Sequence, residues 1–287
     1  MSDNGTLPLA IDRRPVRMVN CFNGDLNDPL MRAAWWADDE TAVTDLETRL
    51  SGGYLVGYRR FMLILPAGFP HNQHLMPSSQ WLTMPEERRR RLMALLPRWK
   101  ERTRDPSVEI YVYAGFALSD PRKLEMPEQR DAETPDLTRD WAWFQANWRE
   151  WIQDCRIDGI GFDNAANPKH VAAFVRVARV LSIAGIKCIG EAIPFVSKDG
   201  ALTPADEITQ APWFALDQFI ANRDKRRAWR FDPRTTECGV GFRESMLVPG
   251  RERRVTTERD VREFVSRGLI PYVYTSKWDE VVMELTG

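Results

Sequence analysis

Histidine and cysteine are scarce in this chain, and neither sign of charge is in excess. Each absence removes a class of function. Three histidines and four cysteines serve 287 residues. Cys21, Cys155, Cys188 and Cys238 are far apart and form no CxxC pair, which argues against a zinc ribbon or disulfide framework and for free thiols in a reducing compartment. His71 and His74 stand three residues apart on a loop with no carboxylate or cysteine at ligand spacing, so no metal site is expected. Lys and Arg number 40 against 41 Asp and Glu, a formal charge of -1, which gives no long-range attraction for nucleic acid or an anionic membrane. The arginine runs Arg88–Arg91 and Arg251–Arg254 read as solvated faces. No run approaches the roughly 18–20 apolar residues of a membrane span. The first residues, Met1-Ser2-Asp3-Asn4-Gly5, lack the basic-then-apolar pattern of a secretory signal. A serine nucleophile elbow, a P-loop and a dinucleotide glycine fingerprint are also missing, so no cofactor is expected.

What the chain does contain is an alternation. Short apolar, β-branched runs are followed by polar turns and then by amphipathic helical stretches, the pattern of βα units around a parallel sheet. Strands are expected at Val16–Asn20, Arg60–Pro66, Val108–Phe116, Asp158–Asp163, Ile186–Ile193, Phe214–Ile220, Glu244–Val248 and Leu269–Tyr274. Helices are expected at Asp39–Leu50, Pro85–Arg102, Thr138–Cys155, Pro168–Ala184, Thr257–Arg267 and Ser276–Leu285, with a hydroxyl cap at Thr256 or Thr257 and a stop at Gly268. Eight strands in fewer than 300 residues is the count of a single-domain α/β fold, the (β/α)8 or TIM barrel, here spanning 1–287 with an N-terminal extension over 1–14. Most of the eleven tryptophans, such as Trp141, Trp143, Trp148 and Trp151, are expected between helices and barrel.

In such a barrel the chemistry gathers where the C-terminal ends of the strands meet. The polar residues there include Asn20, Asn23, Tyr111, Tyr113, Asp163, Asn164, Glu191, Asp217, Asn222, Glu244, Tyr272, Tyr274 and Lys277. Two stretches stand out. Ile157-Asp158-Gly159-Ile160-Gly161-Phe162-Asp163-Asn164 delivers an acid at the end of strand four, and Ile189-Gly190-Glu191-Ala192-Ile193-Pro194 delivers another at the end of strand five. Neighbouring strands lie about 4.8 Å apart. Two carboxylates there can come within about 5–5.5 Å, the separation of nucleophile and acid/base in a retaining glycosidase. A lone strand-end acid more often caps the next helix, and Asp163 or Asn164 can serve so before Pro168.

This pair resembles the active sites of TIM-barrel glycoside hydrolases. In α-amylase-type enzymes an Asp nucleophile ends strand four and a Glu acid/base ends strand five. The strand-four run also resembles that of endo-α-galactosaminidase-like and α-galactosidase-like barrels. The resemblance covers Asp154–Phe195 and implies Asp163 as nucleophile and Glu191 as acid/base. It implies a carbohydrate substrate, and the strand-end positions Asn20, Tyr111, Tyr113, Asn164, Asp217, Glu244 and Tyr272 are then expected to hold it. The arginine of α-amylases two residues before the Asp is absent, as is their late His-Asp pair.

A second reading from another class is a barrel with little or no activity, serving as a glycan-binding or structural subunit of a larger assembly such as a virus particle. The expected setting is therefore cytoplasmic or virion-associated. An aldolase- or isomerase-like barrel would need a lysine at a strand's C-terminal end. Lys187 begins strand five and sits at the other end.

Overall fold

The structure is a computed structural model that describes residues 12–20, 39–64, 86–115, 153–163, 185–192, 195–196, 202–203, 213–217, 237–242, 245–246 and 254–287. Eight strands and four helices organise them. In chain order these are β1 (Val16–Asn20), α1 (Asp39–Val56), β2 (Arg60–Ile64), α2 (Glu86–Thr103), β3 (Glu109–Gly115), β4 (Gly159–Asp163), β5 (Lys187–Ala192), β6 (Trp213–Asp217), β7 (Glu237–Phe242), α3 (Glu258–Ser266), β8 (Ile270–Val273) and α4 (Asp279–Thr286). Two small antiparallel ribbons pair Phe195–Val196 with Leu202–Thr203, and Ser245–Met246 with Arg254–Val255.

The eight strands are all parallel to their neighbours and hydrogen-bond in chain order into a closed ring, β8 returning to β1. The Cα partners can be followed from Val16 through Arg60 and Glu109 and on round the ring. On return to β1 the register is displaced by eight residues. An eight-stranded ring with this shear has an interior just wide enough for side chains to fill. The filling is visible: Val16, Met18, Met62, Tyr111, Ile270 and Tyr272 pack as one buried cluster, with Tyr274 against it.

Alternate residues of the same strands face the helices. Phe61 and Trp99 meet edge to face with centroids 5.2 Å apart, and the Trp99 indole N–H donates to Ser51 Oγ at 3.0 Å. Leu46, Leu50, Leu95 and Leu96 complete that layer. Trp99 is therefore a packing residue, as expected of most tryptophans. The seam between first and last strands is stitched by Arg17, which pairs with Asp279 at 2.7 Å, while the Tyr58 hydroxyl donates to the same carboxylate at 2.9 Å. Among the described residues no helix is long and apolar enough to cross a membrane.

Three expectations change. Helix one runs on through Gly52-Gly53 to Val56, because Gly53 is where helix and strand approach closely. A Cβ there would lie 2.8 Å from the Phe61 ring. The helix cap resolves to Thr257, which exchanges hydrogen bonds with Asp260 in a capping box, while Thr256 is buried. Strand seven is Glu237–Phe242, not Glu244–Val248. Its glycines disguise it: Gly239 lies under the Tyr272 ring, and a Cβ there would sit 1.8 Å from Tyr272 Cε2. A residue that weakens an isolated strand is here the one that admits a tyrosine to the ring.

Candidate active site

The two candidate acids are brought to one place by backbone register. β4 and β5 pair in parallel from Gly159↔Lys187 to Phe162↔Gly190. The next residues along the two strands are Asp163, which ends β4, and Glu191, one residue before the end of β5. β6 follows in the ring, pairing Ala215 with Glu191 and ending at Asp217. Asn20 ends β1 beside Ile64, and Tyr113 pairs with both Ile64 and Gly161. The described members of this alternate set of positions are the residues that fill the ring, Met62 and Tyr111 among them. The side chains of Asn20, Tyr113, Asp163, Glu191 and Asp217 lie outside the described residues, as do Asn164 and Glu244 altogether. The corrected strand seven ends at Phe242, so position 244 falls two residues beyond it.

Tyr111 and Tyr272 are corrected in role. Both are core residues, at 0% and 3% exposure, and a ring buried to that degree offers no face to a sugar. Tyr111 occupies the strand's N-terminal half and directs its hydroxyl towards the strand starts. There it donates to Glu109 and accepts from Arg60 Nη2 at 3.4 Å. Burial drives its phenol pKa well above the usual value, so it remains a neutral donor.

A described charged cluster lies at the opposite end of the ring. Arg60, Glu109 and Lys187 are the first residues of β2, β3 and β5. Glu109 lies 3.3 Å from Arg14, 3.4 Å from Arg60 and 3.4 Å from Lys187. Arg60 is fully buried, with its guanidinium 5.5 Å from the centre of the Tyr111 ring. Asp12 completes the group, 2.6 Å from Arg14, 3.8 Å from Arg60 and 3.9 Å from Lys187. Burial alone would raise the Asp12 carboxyl pKa. The hydrogen bond from Arg14 and the charge of Arg60 overcome it and hold the group at about 2. Sequence reasoning did not assemble this cluster. Its signal was a charged residue opening each of three otherwise buried strands.

Chemically the two ends differ. At the N-terminal end every described acid faces a cation, which makes an ionic floor. Among the described residues no group of histidine, cysteine and carboxylate side chains could hold a metal ion.

No protein-family model matches the chain, and no curated protein is a significant match. Among solved structures, the metallated homocysteine methyltransferase MmuM from Escherichia coli is similar over 96% of this chain and 97% of its own, at 9% identity and a TM-score of 0.51. A chitinase from Chromobacterium violaceum is similar over 94% and 98%, at 11% identity and a TM-score of 0.48. A maltogenic α-amylase, AmyB from Thermotoga neapolitana, is similar over 74% and 51%, at 13% identity and a TM-score of 0.41. Structures similar to this chain thus include glycoside hydrolases alongside a methyltransferase and synthases. At these identities the likeness to the methyltransferase is one of fold alone, a fold that hosts unrelated chemistries.

Proposed function

We propose that the chain is a single-domain (β/α)8 barrel that hydrolyses glycosidic bonds of an oligo- or polysaccharide, with Asp163 as nucleophile and Glu191 as acid/base. The observation that carries this reading is the pairing of β4 with β5, which sets the two residues at the same end of adjacent parallel strands. At the strand spacing of about 4.8 Å, carboxylates so placed span the roughly 5–5.5 Å of a retaining mechanism.

In this scheme Glu191 enters the reaction as the proton donor. It gives its proton to the glycosidic oxygen as the bond to the anomeric carbon breaks. Asp163 attacks that carbon and forms a glycosyl ester. Glu191, now ionised, takes a proton from water, and the hydroxide displaces Asp163 to release the sugar. Asn20, Tyr113, Asn164, Asp217 and Glu244 supply hydrogen bonds to sugar hydroxyls, while Tyr111 and Tyr272 do not take part. The test is a screen of purified protein on a panel of glycans, with Asp163→Asn alongside. Hydrolysis of one glycan class by the wild type, abolished in the variant, is expected. Hydrolysis that survives the substitution contradicts the assignment.

A further inference from the structure

Arg60 is a full charge with no exposed surface, and a buried guanidinium must have its donors matched. In its own strand layer Nη2 donates to the Tyr111 hydroxyl at 3.4 Å, and Nε, which makes no hydrogen bond among the described residues, lies 3.4 Å from the Glu109 carboxylate as an ion pair. Further partners come from a segment outside the strands. Arg60 Nη1 donates to the Asp12 carbonyl at 3.4 Å and to the Arg14 carbonyl at 3.3 Å, and Nε lies 3.8 Å from the Asp12 carboxylate.

That segment has further attachments of its own. Arg13 Nη1 donates to the Gly268 carbonyl at 3.0 Å, in the turn before β8. Arg14 Nη1 donates to the Ser107 carbonyl before β3, and the Arg14 guanidinium closes onto Asp12 through Nε and Nη2. Asp12 also faces Lys187 of β5 at 3.9 Å. Three consecutive residues thus reach the starts of β2, β3 and β5 and the turn that leads into β8. In the sequence they belong to a stretch read as an extension, but their contacts lie across the N-terminal end of the ring.

We propose that residues 12–14 are a strap that closes the N-terminal end of the strand ring, and that the buried Arg60 guanidinium is the keeper it fastens to. Strap and keeper form one cooperative unit. Arg60 stays buried because the strap supplies two carbonyls and a carboxylate, and the strap stays docked because Arg60 engages both its backbone and its acid. A closed N-terminal end also leaves the opposite end of the ring as the way in for a ligand.

Trypsin cleavage of the Arg13–Arg14 bond in the folded, full-length protein reads the docking directly. The docked strap protects this bond, and Arg60→Met, which keeps the apolar stem and removes the fork, is expected to speed its cleavage about tenfold or more with the strand ring intact by circular dichroism. Arg60→Lys keeps a charge but cannot hold two carbonyls and a carboxylate together, so it is expected to speed cleavage at least several-fold. It serves as the variant if Arg60→Met does not fold. In thermal denaturation, Asp12→Ala is expected to lower the Tm of the wild type and to lower that of Arg60→Met by less than half as much. Unchanged cleavage in the Arg60 variants, or strictly additive Tm shifts, overturns the proposal.

Discussion

The two ends of the strand ring use charged residues in opposite ways. At the N-terminal end, signs alternate: Arg14, Arg60 and Lys187 surround Asp12 and Glu109, and each acid has a cation within 3.4 Å. At the C-terminal end, three consecutive strands, β4, β5 and β6, carry Asp163, Glu191 and Asp217 at or next to their last residues. Matched charges hold ionisation states fixed and rigidify a structure. Acids set side by side push their pKa values apart, which is what a proton donor and a nucleophile require. On the proposed reading, one end serves structure and the other chemistry.

The largest expected effect lies at the acid end. Asp163→Asn lowers the turnover of a hydrolysed glycan by at least about 10²–10⁴-fold, the scale of a lost catalytic carboxylate, with the melting temperature nearly unchanged. The mirror experiment is Glu109→Gln. It removes one of the two carboxylates that Arg14, Arg60 and Lys187 share and leaves Asp12 to face all three, so the loss of stability in urea denaturation should be about 1.5–3 kcal/mol. Activity per folded molecule is unaffected by that change if the two ends are independent.

Between the ends, the packing of tyrosine on glycine is expected to resist enlargement. Gly239→Ala places a methyl 1.8 Å from Tyr272 Cε2 and should destabilise by about 1–3 kcal/mol, partly relieved in a Gly239→Ala, Tyr272→Leu double variant. Gly159→Ala meets the Tyr111 ring at 2.4 Å and also the Lys187 carbonyl at 2.7 Å, so a smaller residue at 111 does not rescue it.

The floor also makes a pH prediction. Asp12 is held at about 2, below its ordinary value near 4, so the folded state favours its ionised form. That contribution is complete above about pH 4 and is lost as pH falls towards 2. Partial exposure keeps it to about 1 kcal/mol, seen as a steeper acid loss of Tm in the wild type than in Asp12→Asn.

The smallest effect concerns the turns that feed the strands. Gly185 and Gly268 have positive φ before β5 and β8, and Arg104 and Arg156 adopt φ 52 before β3 and β4. A side chain in that conformation is strained, so Arg104→Gly should stabilise by up to about 1 kcal/mol in denaturant titrations.

These same features explain what the sequence made legible. Gly268 announced the end of α3, whereas Arg104 and Arg156 gave no such sign. Apolar runs located the strands through β6 and again at β8, because residues such as Phe61, Leu63 and Val112 are buried between ring and helices while their neighbours fill the ring. β7 was misplaced because Gly239 and Gly241 break its apolar run, and the Tyr272 ring on the neighbouring strand is what meets Gly239. The adjacency of Asp163 and Glu191 followed from strand order alone. The ionic floor did not, since Asp12, Arg60, Glu109 and Lys187 are far apart in sequence and meet only once the ring closes. Tyr111 was misassigned for a related reason: a polar tip on a strand says nothing about which end of the ring it serves.

The most direct test is to trap the glycosyl-enzyme ester. Wild-type protein is incubated with a panel of 2-deoxy-2-fluoroglycosyl fluorides, and peptide masses are read after digestion at low pH. One fluorosugar should add to the peptide carrying Asp163, and no label should form in Asp163→Asn. Label on a peptide from the N-terminal floor, or an ester that persists in the variant, contradicts the division of labour between the two ends.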